Sequence, residues 1–503
     1  MLDFLANHTV SRLFLSANVI MALVYFFCIV SLIGTPNVGN VALFVLLISG
    51  EVFHLIQVLG YVHSVWPRKI KRTFDKKFTP EVGIFITVCG EPEDILIETV
   101  EAAKAMEYPN FNIYILNDGY VAKRDNWREA EKVAKRYGVT CFTRRKPGGA
   151  KAGNINYALK KTKEPFFVVF DTDHIPKKHF LRRMMGYFAD EKMGFVQSPQ
   201  FYKNHELNLV TGGAWEQQAL FFGAICKGKD AAGSAFMCGT NMALRREAVL
   251  QAGGMNEESI AEDFLTSLYI HKNGWKSVYV DEVLAEGLAP EDFLSYYKQQ
   301  FRWARGSLEV VFLHNPLLMR GLTFNQRFQY LSSASFYLSG IFVAINALLP
   351  LIFLFTGLEP LKISTMTLAI VFIPYIFIVL YTLQLTSNYA YTFRAISFSL
   401  GAFPLHIKAV WQILTGKKVG FVVTSKKQLS GNHIYLARPH MAYIALVLIG
   451  AVIAFMRDGF AASVISNLAW GITYIVLFIP FILAAAENNK GEETELTVAK
   501  EKA

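Results

Sequence analysis

Residues 167–176 read FVVFDTDHIP, from Phe167 to Pro176. Four consecutive Phe and Val residues fit a strand buried on both faces, as in a parallel sheet. The run ends in two carboxylates, Asp171 and Asp173, one residue apart. Both acids then stand at the carboxyl end of a strand, where open α/β sheets take their ligands. Two hard oxygen donors this close suit Mg²⁺ or Mn²⁺, with waters and a diphosphate completing the shell. A polar turn closed by Pro176 accounts for the same residues equally well, so the surroundings decide.

Upstream, Val82–Val88 reads as a strand ending in Cys89-Gly90-Glu91-Pro92, and Asp94–Met106 as a helix. Asn112–Leu116 is a second strand, ending in Asn117-Asp118-Gly119. Arg124–Tyr137 reads as an amphipathic helix and Thr140–Arg144 as a third strand. A Gly148-Gly149 turn then leads into a helix through Lys160. This alternation predicts a mostly parallel sheet with helices on both faces. Acids recur at the strand ends: Glu91, Asp118, Asp171 and Asp173. Acids also cap helices, but four on one sheet edge favour a nucleotide site. Lys151 lies between small residues, open to a phosphate, although GxxxxGK[ST] is absent and a solvated lysine fits too.

Downstream, Glu262 and Asp263 open an apolar-periodic helix. First-turn acids are favoured by the helix dipole, and one facing a cleft can take a proton from a hydroxyl. In Gln299-Gln300-Phe301-Arg302-Trp303, Arg302 offers a fork of donors to a phosphate and Trp303 a flat face to a sugar. An amphipathic helix at the lipid headgroups reads the same way.

The chain has 503 residues, 53% hydrophobic and only 18% charged. Leu13–Gly50 holds no charge, and Val41–Val62 only Glu51 and His54. Further apolar runs cover Tyr330–Leu361, Ile363–Phe393, Met441–Met456 and Gly459–Ala486. A span needs roughly 20 apolar residues, so two spans precede the middle region and four follow it. Glu51 is an intramembrane acid, a functional candidate by position alone. The first run is long, without a small-residue cleavage site, and is followed at once by a second, unlike a signal peptide. Net charge is +10, concentrated after the second span (Arg68, Lys69, Lys71, Arg72, Lys76, Lys77) and after the fourth (Lys417, Lys418, Lys426, Lys427). The positive-inside rule places the middle region and both termini in the cytoplasm of a multi-pass protein of the plasma (inner) membrane. Juxtamembrane basic residues favour the lipid bilayer over nucleic acid as partner. Five cysteines without CxxC or zinc-like spacing argue against a disulfide framework.

In this order, Asp118, Asp171-Thr172-Asp173, Glu262-Asp263 and Gln299…Arg302-Trp303 resemble a processive family 2 glycosyltransferase. The match is to the bacterial cellulose synthase catalytic subunit type, and it runs from about residue 80 to the last apolar run. Lys151-Ala152-Gly153-Asn154 matches that family's AKAGN stretch and Asp173-His174-Ile175-Pro176 its DHxP. Phe421-Val422-Val423-Thr424-Ser425-Lys426 matches its FxVTxK gating loop. Two departures stand out: TED reads Ala261-Glu262-Asp263, and the usual Tyr-Asn before Glu-Pro reads Cys89-Gly90.

The resemblance implies a glycosyltransferase-A, Rossmann-like α/β domain inserted in a polytopic helical membrane domain. It implies a β-glucan made by inversion from a UDP-sugar, UDP-glucose by the FxVTxK match, with the polysaccharide passing through the protein's own helices. UDP-N-acetylglucosamine polymerisation and a non-catalytic scaffold or transporter are the alternatives. By residue, it implies Asp263 as base with Glu262 beside it, and Asp171 and Asp173 on Mg²⁺ or Mn²⁺. Glu91, Asp118, Lys151, Gln299, Arg302, Thr424 and Lys426 would hold the nucleotide; Trp303, Cys238 and Gly239 the acceptor. Phe421, Val423, Thr424 and Lys426 would form the gating loop.

The expected segments are two spans (1–66), the transferase domain (67–290) and interfacial helices with QxxRW (291–326). Two spans (327–390), an interfacial segment with the loop (391–439) and two spans (440–486) complete the chain. The tail, 487–503, is expected to be disordered and is too short for a cyclic di-GMP-binding PilZ domain, so synthesis is expected to need no cyclic di-GMP.

Overall fold

The computed structural model of the protein describes residues 8–417 and 431–488. Its central sheet has seven strands in the order β3-β2-β1-β4-β8-β6-β9. These are β1 (Val82–Val88), β2 (Phe111–Asn117), β3 (Thr140–Thr143), β4 (Phe166–Asp171), β6 (Met193–Gln197), β8 (Met242–Arg245) and β9 (Lys276–Tyr279). Every residue of β4 except Asp171 is buried, because helices cover both faces. Ile84, Ile86, Val168 and Phe170 face one apolar cluster with Leu96, Val100 and Phe180. Phe85, Phe167 and Val169 face another with Ile155 and Leu244. A run without alternation is what a two-sided burial requires.

β1, β2, β3 and β4 are mutually parallel, with Thr87 opposite Asp171 and Val88 opposite Asn117. Parallel pairing aligns the carboxyl ends, so Glu91, Asp118 and Asp171 follow strands that finish at one edge. The expected parallel sheet becomes mixed beyond β4, since β8 runs antiparallel to both β4 and β6. A smaller sheet of β5 (Ile175–Pro176), β10 (Ala285–Gly287) and β7 (Phe201–Tyr202) closes below that edge.

The helix expected to start at Arg124 begins at Glu129. The five residues before it are used otherwise. Arg124 N–H donates to the Gly119 carbonyl at 2.9 Å, Asn126 Nδ2 to that of Gly90 at 3.1 Å, and Asn117 Nδ2 to that of Trp127 at 2.8 Å. The turn thereby ties the ends of β1 and β2 together, and Lys123 takes a positive φ of 55° to allow it.

Among the described residues, six helical segments are long and apolar enough to cross a membrane: His8–Val30, Val41–Val65, Phe324–Thr356, Thr365–Thr386, Ile434–Asp458 and Ala462–Ala486. The protein is a multi-pass membrane protein. Between the fourth and fifth spans lie two helices, Phe393–Gly401 and Phe403–Leu414. Leu405, Ala409 and Ile413 of the latter pack on Ala304 and Leu308, while Trp411 and Leu414 point outward. The α/β part of the chain meets the second span closely at Gly228. A Cβ added there would lie 1.6 Å from the Ser64 carbonyl oxygen, so backbone rests on backbone.

Candidate active site

A cavity of about 480 Å³ opens at the carboxyl edge of the sheet. Its lining includes Glu91, Asp118, Lys151, Asp171, Asp173, Cys238, Gly239, Glu262, Asp263, Gln299, Arg302 and Trp303. These twelve candidates come from segments spread over more than two hundred residues of chain. Phe421, Val423, Thr424 and Lys426 lie outside the described residues.

β2 delivers Asp118, which Arg144 grips with two hydrogen bonds, Nε to Oδ1 at 2.8 Å and Nη2 to Oδ2 at 2.6 Å. Burial pushes the Asp118 carboxyl up, and the Arg144 guanidinium opposes that rise. Arg144 also donates to the carbonyls of Gly148 and Ala150, so it shapes the turn leading to Lys151. Gly153 makes room for this: a Cβ there would meet the Gly148 oxygen at 2.2 Å and the Arg144 guanidinium at 2.6 Å. The sequence reading missed Arg144, because an arginine ending a strand looks like an ordinary solvated cap.

Lys151 is no solvated lysine. Its Nζ pairs with the Asp171 carboxylate and donates to the Gly239 carbonyl at 2.8 Å. Thr87 Oγ1 donates to Asp171 Oδ1 at 3.2 Å. Asp173 is 2% exposed and accepts the Leu288 N–H on Oδ2 at 3.2 Å. His174 Nδ1 lies 3.5 Å from Asp173 Oδ1. Asp171, Asp173 and His174 each offer one ligand atom, all within 4.8 Å of one another. Both ring nitrogens of His174 are buried without a hydrogen-bond partner among the described residues. The two carboxylates are hard oxygen donors that fit Mg²⁺ or Mn²⁺, and the imidazole beside them is a third possible ligand.

Across the cavity, the helix Glu262–Lys272 presents both acids in its first turn. Phe264 N–H donates to Asp263 Oδ1 at 2.7 Å. A Cβ on Gly239, whose φ is +84°, would stand 3.1 Å from Asp263 Oδ2, so the glycine keeps that carboxylate open. Burial pushes both carboxyls up, and for Asp263 the neighbouring Glu262 charge adds to the rise. A carboxylate raised this way is a stronger base than an ordinary aspartate.

The helix Phe293–Leu313 starts from Asp292, whose side chain caps Ser295 N–H at 2.8 Å. Gln299, Arg302 and Trp303 fall at i, i+3 and i+4 and so share one face. This helix rests on the start of the acid-bearing one, since a Cβ on Gly306 would meet that of Ala261 at 2.4 Å. Buried Tyr202 completes the floor, beside Gln299. Cys89, in place of the expected tyrosine, lines the wall with its thiol pushed up to about 12 by burial.

Residues 80–306 match the family model described as glycosyltransferase like family 2, and residues 251–467 the model described as cellulose synthase. Over residues 80–306 the chain is thus similar to the family 2 glycosyltransferases. The chain is 31% identical over 473 residues to a putative cellulose synthase 2 of Komagataeibacter xylinus, a match covering 89% of the chain and 31% of the relative. It is 29% identical over 464 residues to a UDP-forming cellulose synthase catalytic subunit of Pseudomonas fluorescens (strain SBW25), covering 88% and 62%. A subunit of the same description from Xanthomonas axonopodis pv. citri is 34% identical over 321 residues, covering 61% and 43%. The chain thus spans from about a third to somewhat under two thirds of these relatives' lengths. In fold, it is similar to a mannosyltransferase from Pyrobaculum calidifontis solved with GDP-mannose and Mn²⁺. The TM-score is 0.54 at 16% identity, over 75% of this chain and 100% of that one. The glycosyltransferase-A-like α/β architecture flanked by apolar helices is therefore the fold.

Proposed function

We propose that the protein is a processive, inverting transferase that extends a β-glucan from UDP-glucose at the cytoplasmic face of the plasma membrane and passes the product through its own helices. The observation that carries this reading is the raised, half-buried carboxyl of Asp263 lining the same cavity as the Asp171–Asp173 pair. The UDP-forming description of the relatives supports the donor class.

The acceptor hydroxyl gives its proton to the Asp263 carboxylate. Its oxygen attacks the anomeric carbon from the face opposite the diphosphate. The carbon–oxygen bond to the diphosphate breaks, its electron pair leaves with UDP, and the configuration inverts. Asp171, Asp173 and His174 would hold Mg²⁺ or Mn²⁺, which when bound would supply positive charge to a diphosphate. Arg302 and Lys151 supply positive charge on the same side, while Glu91 and Asp118 take the nucleoside end. Trp303 stacks under the acceptor sugar beside Cys238 and Gly239. In this reading Lys151 exchanges its Asp171 contact for the donor's phosphates.

Purified protein with Mg²⁺ and single UDP-sugars tests this directly. UDP release and polymer with UDP-glucose alone are expected; turnover of UDP-N-acetylglucosamine alone would reassign the product, and no turnover would leave a scaffold. Because the base is raised, the rate should fall on acidification at a pH well above the roughly 4 of an ordinary aspartate. A midpoint near that value would remove Asp263 as base. Replacing Phe421–Lys426, the stretch that matches the FxVTxK motif, with a Gly/Ser linker should leave a membrane-inserted but inactive protein. Parent-rate synthesis by that variant would make the segment a tether.

A further inference from the structure

A buried line of hydrogen bonds joins the helix that carries Asp263 to the third membrane span. His271, in the last turn of that helix, is 1% exposed. Its Nδ1 lies 2.9 Å from the Tyr330 hydroxyl and its Nε2 2.8 Å from Ser277 Oγ. Ser277 Oγ gives its own proton to the Ala235 carbonyl at 2.8 Å, so it has only lone pairs left for the ring. The imidazole is therefore protonated on Nε2, and Nδ1 accepts the Tyr330 proton. Burial pushes the ring down to about 3, so it stays neutral at any working pH.

Asp263, Ser267 and His271 recur every four residues along one stripe of the helix. Ser267 Oγ donates to the Asp263 carbonyl and accepts the Met237 N–H, each at 2.8 Å, one residue before Cys238. The front of the helix has no side-chain cap at Ala261. Tyr330 belongs to the helix Phe324–Ser335, which opens the third span. Its ring packs 5.1 Å from Phe264 and 6.2 Å from Phe236. Two apolar side chains of the same volume would fill that space. What the paired hydrogen bonds add is a single register between the helix of the base and the membrane helix.

We propose that His271 and Tyr330 are positioning residues for transfer, fixing the depth of the Asp263 helix against the third span and hence the height at which the carboxylate meets the acceptor hydroxyl. Neither residue lines the cavity. A general base works only within roughly 2.6–3.2 Å of its proton, and a displacement of about 1 Å can cost on the order of 10² in rate. This inference rests on the transferase reading above.

The test uses the full chain in detergent or nanodiscs, with Tyr330→Phe, His271→Leu and His271→Gln. Steady-state turnover of UDP-glucose, UDP affinity and thermal midpoint are measured for each. Tyr330→Phe and His271→Leu should lower kcat about tenfold while KM and UDP affinity stay within about twofold of the parent, the pattern of a contact that acts only in the transition state. His271→Gln should recover most of the loss, since its amide offers a donor towards Ser277 and an acceptor towards Tyr330. Parental kcat in both deleting variants overturns the inference. So does a loss that His271→Gln shares and that tracks a fall in thermal midpoint. A parent protein that releases no UDP from any UDP-sugar overturns the transferase reading and this inference with it, whereas an active parent beside unchanged variants overturns the inference alone.

Discussion

Asp263→Asn should bind UDP as the parent does and lose synthesis by a factor on the order of 10²–10⁴, the usual cost of losing a general base. The substitution is nearly isosteric. Its amide oxygen can still accept the Phe264 N–H that Asp263 Oδ1 accepts at 2.7 Å, so the helix start should hold. What disappears is the capacity to take a proton. Burial and the Glu262 charge have raised the Asp263 carboxyl for that task, and Gly239 leaves its outer oxygen uncovered. UDP affinity by calorimetry and labelled-sugar incorporation separate binding from chemistry. Near-normal incorporation would pass the role to Glu262, which lines the same cavity.

Asp173→Ala should abolish synthesis and remove the metal dependence of UDP binding. Asp173 is the more enclosed of the two acids, and its loss leaves the Leu288 N–H without its acceptor. An orphaned buried donor costs about 1–3 kcal/mol by itself, so Asp173→Asn is the companion variant. It keeps an oxygen for Leu288 and removes the charge, and it should fail in synthesis as well. UDP affinity is measured with Mg²⁺ and with EDTA. Equal affinities in the parent under both conditions would reduce Asp171 and Asp173 to a turn.

The parts of this molecule that were legible from sequence are those set by local pattern. The Phe167–Phe170 run shows a doubly buried strand, and strand–helix alternation puts Glu91, Asp118 and Asp171 at one edge before any coordinates are known. Apolar runs gave six spans by length alone. What pattern could not show is what register and packing decide. Arg144 becomes the partner of Asp118 only because β2 pairs with β3 in a register that sets Asn117 opposite Thr143. The reversal at β8 is invisible because Met242–Leu244 reads the same in either direction. The turn at Arg124–Arg128 carries a helical pattern, but its Arg124 N–H goes to the Gly119 carbonyl, its Trp127 carbonyl accepts from Asn117 of β2, and its Asn126 side chain reaches the Gly90 carbonyl after β1. His271 and Tyr330 stand fifty-nine residues apart, and no spacing rule joins them.

The contact of Gly228 with the Ser64 carbonyl has a mechanical meaning under the proposed polymerising activity. On that proposal, each added sugar would push the chain ahead of it by one residue, and an equal thrust would fall back on the domain that adds it. A flexible tether would let the domain recoil and waste the stroke. Here the thrust is received by two backbones already touching, with no side chain between them to fold aside and no methyl that would fit. On the same proposal, the second span would be the abutment against which elongation works.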